Sequence, residues 1–111
     1  MPLLSISTSA SISNKGNFLR DASMLMSNLT NKPEKYVMVK ISDSLDMYFD
    51  KSSSDSCFVE IKSIGSLNPS LMAEKITDFI SNEIDIPGDR IYINFEDVPS
   101  SLWAHNRRTF G

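Results

Sequence analysis

The sequence carries one cysteine, one histidine and four glycines among 111 residues. Each scarcity closes a class of function. A lone Cys57 cannot build an intrachain disulfide framework, a Cys-x-x-Cys redox pair or a cysteine-caged zinc site. A lone His105 leaves no ordinary His-based zinc site. Four scattered glycines supply no glycine-rich phosphate loop. No run approaches the ~20 apolar residues that span a bilayer, so no membrane partner is expected. Positive charge is short as well: 11 Lys and Arg against 14 Asp and Glu give a net charge of −3. Neutralising phosphates needs a basic surface, so nucleic acid is not the expected partner. The acidic residues form no glycosidase-like pair. Ser, His105 and Asp occur without a nucleophile elbow. Met1-Pro2-Leu3-Leu4-Ser5-Ile6-Ser7 lacks the charged and apolar regions of a secretory signal. The expected compartment is the cytoplasm, with leaderless secretion left open.

What is present suits one folded domain spanning residues 1–111. Hydrophobic residues are 41% and aromatics 9%, enough for a core and too many for a disordered chain. A chain of this size buries roughly two-thirds of its unfolded surface, a margin that self-association would improve. Serine is the commonest residue, with 19 copies. Lys51 to Ser56 reads KSSSDS, the best candidate for a mobile hairpin or turn.

Leu3 to Ser7 alternates apolar and small polar residues and reads as a strand. Phe18, Ala22, Leu25 and Leu29 recur at helical spacing, with Leu19 and Met26 widening the stripe, so a helix is expected over about Lys15 to Thr30. Ser13 or Asn14 would cap it, and Asn31-Lys32-Pro33 would end it. Tyr36 to Ile41 is β-branched and nearly continuous, as a strand is. Asp46 to Phe49 reads as a short edge strand and Cys57 to Ile64 as a further strand. Asn68-Pro69 opens a second helix, with Met72, Ile76, Phe79 and Ile80 on its apolar face. Pro87-Gly88 stops that region, and Arg90 to Glu96 alternates as a final strand.

Split near Ser54, this order becomes strand–helix–strand twice. Pro33 leads Tyr36-Val37-Met38-Val39 as Pro87 leads Arg90-Ile91-Tyr92-Ile93. The expected class is α+β: two β-α-β pseudo-repeats forming a four-stranded mixed sheet with two helices on one face. The opposite face, with Val37, Val39, Phe58 and Ile91 read onto it, would then need cover from other subunits.

A few residues carry possible chemistry. Removal of Met1 would free the Pro2 nitrogen as a secondary amine; Met-Pro starts also occur with no role at all. An apolar pocket or a nearby cation would hold such an amine neutral, the form a base needs. Lys32 either complements the helix dipole or binds a carboxylate beside that amine. Ser63-Ile64-Gly65 is either an exit turn or a source of free backbone donors. Tyr92 and Asn94 share one side of a strand, as an edge contact, an interface bond or a site.

Together these residues resemble the macrophage migration inhibitory factor family of the tautomerase superfamily. The resemblance runs over nearly the whole chain. It rests on the Met-Pro start, Gly16-Asn17-Phe18-Leu19, Asn31-Lys32-Pro33-Glu34-Lys35-Tyr36-Val37, Ser63-Ile64-Gly65, Asp89-Arg90-Ile91-Tyr92-Ile93-Asn94-Phe95 and Thr109-Phe110-Gly111. It implies a homotrimer with sheets around a central barrel and three active sites between subunits. It also implies a cofactor-independent keto–enol tautomerase acting on phenylpyruvate-like 2-keto acids. Pro2 would be the catalytic base and acid. Lys32 and the backbone of Ile64 would hold the carboxylate and carbonyl oxygens, and Tyr92 and Asn94 would come from the neighbouring subunit. Tyr36 and Phe110 would form an aromatic wall, and Leu3 and Ser63 would line the pocket. No metal or organic cofactor is implied.

The sequence departs from the family at three places. His105 falls where the animal proteins carry an aromatic, with Trp103 two residues earlier, so the rim is rebuilt. Lys62 replaces a histidine and adds positive charge. The Cys-x-x-Cys segment tied to thiol oxidoreductase activity is absent. A signalling or binding protein with incidental turnover is the alternative, and a trimeric small-acid binder is a plainer one.

Overall fold

The computed structural model describes residues 1–111. Alternation in the first residues becomes β1 (Pro2–Thr8), whose side chains point by turns into the core and away from it. A helix follows, α1 (Lys15–Thr30), with Asn14 as its cap: the Asn14 side chain accepts the N–H of Asn17. The chain returns as β2 (Met38–Ser42). The second half repeats the plan with β3 (Cys57–Ser63), α2 (Pro69–Ile84) and β4 (Ile91–Asp97). The tail closes as a small hairpin of β5 (Ala104–His105) and β6 (Arg108–Thr109).

The main sheet has the order β2-β1-β3-β4. β1 runs parallel to β2 and antiparallel to β3, while β3 runs parallel to β4. Two β-α-β units are therefore joined through the central β1–β3 pair, and α1 and α2 lie on one face. This is the mixed-sheet α+β architecture that the order of elements predicts.

The repeat is sharper in three dimensions than in sequence. The caps Asn14 and Asn68 stand 54 residues apart and share a backbone geometry near φ −120 to −132°, ψ 79 to 81°. The helix ends repeat at the same offset: Asn31 and Asp85 are both left-handed, at φ 56° and 57°. Pro33 and Pro87 follow with identical angles, φ −58° and ψ 142°, each opening one turn of 3-10 helix before the next strand. On the helices, Phe18, Ala22 and Met26 are buried, as are their counterparts Met72, Ile76 and Ile80. The rings of Phe18 and Phe79 meet at 5.2 Å between centroids and join the two helices.

Register fixes which strand residues share a face. Leu4 sits between Val39 and Ile61, and Ile6 between Ile41 and Val59; Ile91 lies beside Cys57. All of these belong to the core or pack against it. Val37, Val39 and Ile91 thus turn toward the helices, which corrects their assignment to the uncovered face. Phe58 alone of that group lies on the open side. The open face carries three cross-strand rows: Met38–Leu3–Lys62–Glu96, Lys40–Ser5–Glu60–Asn94 and Ser42–Ser7–Phe58–Tyr92. It is mixed rather than continuously apolar, as an antiparallel pairing with one wet face permits. Its large apolar members are nevertheless bare, Met38 at 64% and Tyr92 at 60% exposure.

Asp46 to Phe49 does not form an edge strand. Ser44 is left-handed, and the N–H groups of Ser44 and Leu45 donate to the carbonyls of Ala10 and Thr8. Those bonds draw the chain across the end of β1 and away from the outer side of β2. Only Phe49 reaches an extended pairing, exchanging two backbone bonds with Ser52 around a tight turn at Asp50 and Lys51. Both turn residues have positive φ, the geometry of a two-residue hairpin turn.

Candidate functional site

The site is built where the N-terminus of β1, the exit of α1 and the C-terminal hairpin converge. Pro2 opens β1 directly across from Ser63, the last residue of β3. Both side chains are fully buried. The Ser63 hydroxyl has no hydrogen-bond partner. Ile64 follows half-buried. Gly65 takes a left-handed φ of 66°, and its N–H donates to Asp97 Oδ1. The N–H of Val98 donates to the Ser63 carbonyl, so the two strand ends are tied together beside Pro2.

Lys32 is delivered by the end of α1. Asn31 turns the chain through the left-handed region, and the Ser27 hydroxyl donates to the Lys32 carbonyl at 2.6 Å. Pro33 then fixes the next backbone angle. The result brings Lys32 to the front of β1. The α-amino group of Met1 titrates below its ordinary value, first because it is partly removed from water and second because the Lys32 cation opposes its charge.

A cleft of about 1190 Å³ opens beside this point, larger than the ~300–1,000 Å³ of an ordinary small-molecule pocket. Its floor is the first row of the open sheet face, Met38, Leu3, Lys62 and Glu96, with Met1 and Pro2 beside it. Tyr36 stands on one wall, with the Lys35 ammonium 4.9 Å from its ring centroid. The opposite wall is the tail: Leu102, Trp103, Ala104, His105 and Phe110. The tail is held by a bond from the Phe110 N–H to the Trp103 carbonyl. The rings of His105 and Phe110 lie parallel, 6.3 Å apart and within 4°.

The structure therefore brings together Pro2, Leu3, Tyr36, Trp103, His105 and Phe110 in one cleft, with Ser63 and Lys32 adjoining it. Tyr92 and Asn94 stand apart. They lie on β4, beyond β3, next to Phe58 and Glu60 on the open face, and neither lines the cleft. Residues not assigned to a site from sequence also line it: Lys35, Val37, Met38, Glu96, Val98 and Leu102. Strand parity could have found Met38 and Glu96, which share a row with Leu3. Val98 carried no signal, since only the bond from its N–H to Ser63 folds it inward.

Comparison with known proteins gives one consistent result. The family model described as macrophage migration inhibitory factor (MIF) matches residues 1–111. A macrophage migration inhibitory factor homolog of Brugia malayi is 35% identical over 97 residues, covering 85% of this chain and 84% of that protein. One from Trichuris trichiura is 32% identical and covers 99% of this chain and all of its own. The crystal structure of a macrophage migration inhibitory factor homologue from Prochlorococcus marinus superposes with a TM-score of 0.92 at 40% identity, over 98% of this chain and 99% of that one.

Proposed function

The chain belongs to the macrophage migration inhibitory factor family, whose members include tautomerase-like and cytokine-like activities, and on that premise we propose that it is a cytoplasmic keto–enol tautomerase acting on phenylpyruvate-like 2-keto acids. Members of the family generally form homo-oligomers and bind small ligands. The working form in this proposal is a homotrimer with Met1 removed. While Met1 is attached, the Pro2 nitrogen is an amide and cannot accept a proton. Once trimmed, it is a secondary amine at the mouth of the cleft.

In the proposed reaction the neutral Pro2 nitrogen takes a proton from the carbon beside the ketone. The Pro2 ammonium so formed then gives that proton to the enolate oxygen, which completes the enol and restores the neutral amine; ketonisation runs the same steps backward. Lys32 and the backbone at Ile64 hold the carboxylate and carbonyl oxygens and stabilise the charge that develops on the enolate. Tyr36 and Phe110 form the aromatic wall, Leu3 and Ser63 the lining, and Trp103 and His105 the rim. Tyr92 and Asn94 reach this pocket from the neighbouring subunit. That arrangement suits two facts: the cleft of the single chain is oversized, and these two side chains are exposed on a strand remote from Pro2. The scheme uses no metal and no organic cofactor.

One observation carries the proposal. The α-amine of Met1, one residue ahead of Pro2, is shifted toward its neutral form by burial and by Lys32, so the nitrogen that trimming would free lies next to surroundings that favour an uncharged amine, at an aromatic cleft. A positioned general base of this kind contributes ~10²–10⁴-fold to rate. The test pairs mass spectrometry of the N-terminus with a phenylpyruvate enol–keto assay and a measurement of native mass on one sample. Trimmed trimer with turnover, and loss of turnover when Met1 is retained, is the expected result. Trimmed trimer without turnover would overturn the proposal and leave the binding or signalling reading.

A further inference from the structure

Arg90 is the most heavily bonded side chain of the molecule, and it lies outside the cleft. It ends the 3-10 turn that leads into β4, two residues before Tyr92. Its guanidinium donates to four backbone carbonyls of the serine-rich loop: Nε to Asp55 at 2.9 Å, Nη1 to Phe49 at 3.0 Å, and Nη2 to Ser52 at 3.3 Å and Ser54 at 2.9 Å. The same cation lies 5.3 Å from the centroid of the Phe49 ring. The Phe49 ring in turn meets the Tyr92 ring at 4.6 Å, tilted by 58°. The loop expected to be mobile is thus wrapped around one planar cation, and its aromatic residue is pressed on Tyr92.

We infer that Arg90 is a positioning residue, which folds the 49–55 loop into a clamp that sets the Tyr92 ring for service in the neighbouring subunit's pocket. The inference rests on the proposed role of Tyr92 as a residue supplied across the interface. Three physical points support it. Tyr92 is 60% exposed, so little else restrains its ring. The ring that meets it, Phe49, sits on a loop with no regular pairing beyond the Phe49–Ser52 bridge, while Phe58 is the register neighbour of Tyr92 on β3. That loop needs donors for several carbonyls at once, which the rigid fork of an arginine supplies and the compact ammonium of a lysine does not.

The experiment compares wild type, Arg90→Lys, Tyr92→Ala and the double variant. The structural arm follows through-space NMR contacts between the Phe49 and Tyr92 rings and amide exchange across residues 49–55. Arg90→Lys should lose those contacts and speed exchange in the loop, while the amides of β1 and β3 keep their protection. The kinetic arm measures phenylpyruvate KM and kcat. Arg90→Lys should raise KM roughly three- to tenfold, the scale of one hydrogen bond lost, with kcat nearly unchanged. In the Tyr92→Ala background the same change should add little, because its route of action is gone. Persistence of the ring contacts in Arg90→Lys overturns the clamp whatever the turnover. An undiminished KM effect in the Tyr92→Ala background also overturns it, by making Arg90 merely structural. Absence of turnover in trimmed wild type overturns the tautomerase proposal instead, and the structural arm still decides the clamp.

Discussion

Lys32 acts on the amino terminus of Met1 across the gap between the end of α1 and the start of β1, opposing the protonation of that amine. Burial acts in the same direction and more strongly. Pro2 lies one residue deeper and is fully buried with Met1 attached; on the proposed mechanism the amine freed by trimming experiences the same two influences. An ordinary α-amino group titrates at ~7.7–8.0. If Pro2 is the base proposed above, kcat/KM of the trimmed protein should rise with pH as that amine loses its proton and then level. Lys32→Gln removes the opposing cation, so the rising limb should move to higher pH, with a higher KM from the lost carboxylate partner. A pH–rate profile on both proteins checks this. An unmoved limb would show that Lys32 does not set the amine.

Cys57 sits in the core at the start of β3, and burial pushes its thiol up to about 12. The thiolate is the reactive form, so at neutral pH it is all but absent. Native protein should resist a maleimide or a disulfide reagent over hours and react with one equivalent in guanidinium. Rapid labelling of the folded protein at neutral pH would contradict the burial.

The helices were legible in the sequence because their signal is redundant. Phe18, Ala22, Leu25 and Leu29 mark one face of α1, and Asn14 and Pro33 mark its ends independently. The strands were legible as segments but not all in parity. Val37 and Val39 sit in a nearly continuous apolar run, where an alternation cannot be read, and the pairing of Val39 with Leu4 shows which way it points; Ile91 alternates with Tyr92, and its pairing with Cys57 puts it on the core face. The turns at Asp50-Lys51 and Asn106-Arg107 put lysine and arginine at positive φ, a cost that local sequence does not advertise. Pro2, Lys32 and Ser63 each carry a possible chemistry in the sequence, but only the resemblance implies that they meet, since no local pattern brings residues so far apart to one point. Arg90 was read only as the edge of a strand, because its role depends on carbonyls some forty residues earlier.

Asp43 ties the loop after β1 to the end of β2. Its carboxylate accepts the Ile12 N–H at 2.9 Å and meets the Lys15 ammonium at 3.3 Å. The Ile12 bond is the leading reason its carboxyl titrates below the ordinary carboxylate value, with Lys15 adding to it. A group depressed on folding contributes stability above its unfolded pKa and loses it as pH falls through the folded one. Asp43→Asn should therefore be less stable than wild type at pH 7, and the gap should shrink as pH falls below ~3.9, the ordinary Asp value. Urea unfolding of both proteins at fixed protein concentration, at pH 7 and at pH 3, measures it. A gap independent of pH would mean that the charge of Asp43 contributes nothing.

Asp85 ends α2 in the left-handed region, at φ 57° and ψ 45°, with its N–H bonded to the Ser81 carbonyl. Two costs coincide there. A side chain with a Cβ is strained in that conformation, and a negative charge at a helix C-terminus opposes the dipole. The last turn of α2 carries no basic residue to offset it. Asp85→Gly removes both costs while the left-handed turn and its hydrogen bond remain available. The added freedom of the unfolded glycine opposes part of the gain. A net stabilisation of about 1 kcal/mol is expected. Asn31 holds the matching position of α1, but it is uncharged and better suited to this backbone. Asn31→Gly should therefore change stability by less than about 0.5 kcal/mol. Thermal and urea unfolding at one protein concentration separate the two variants. If both gain equally, backbone strain is the whole effect; if Asp85→Gly loses stability, its carboxylate makes an interaction that outweighs both costs.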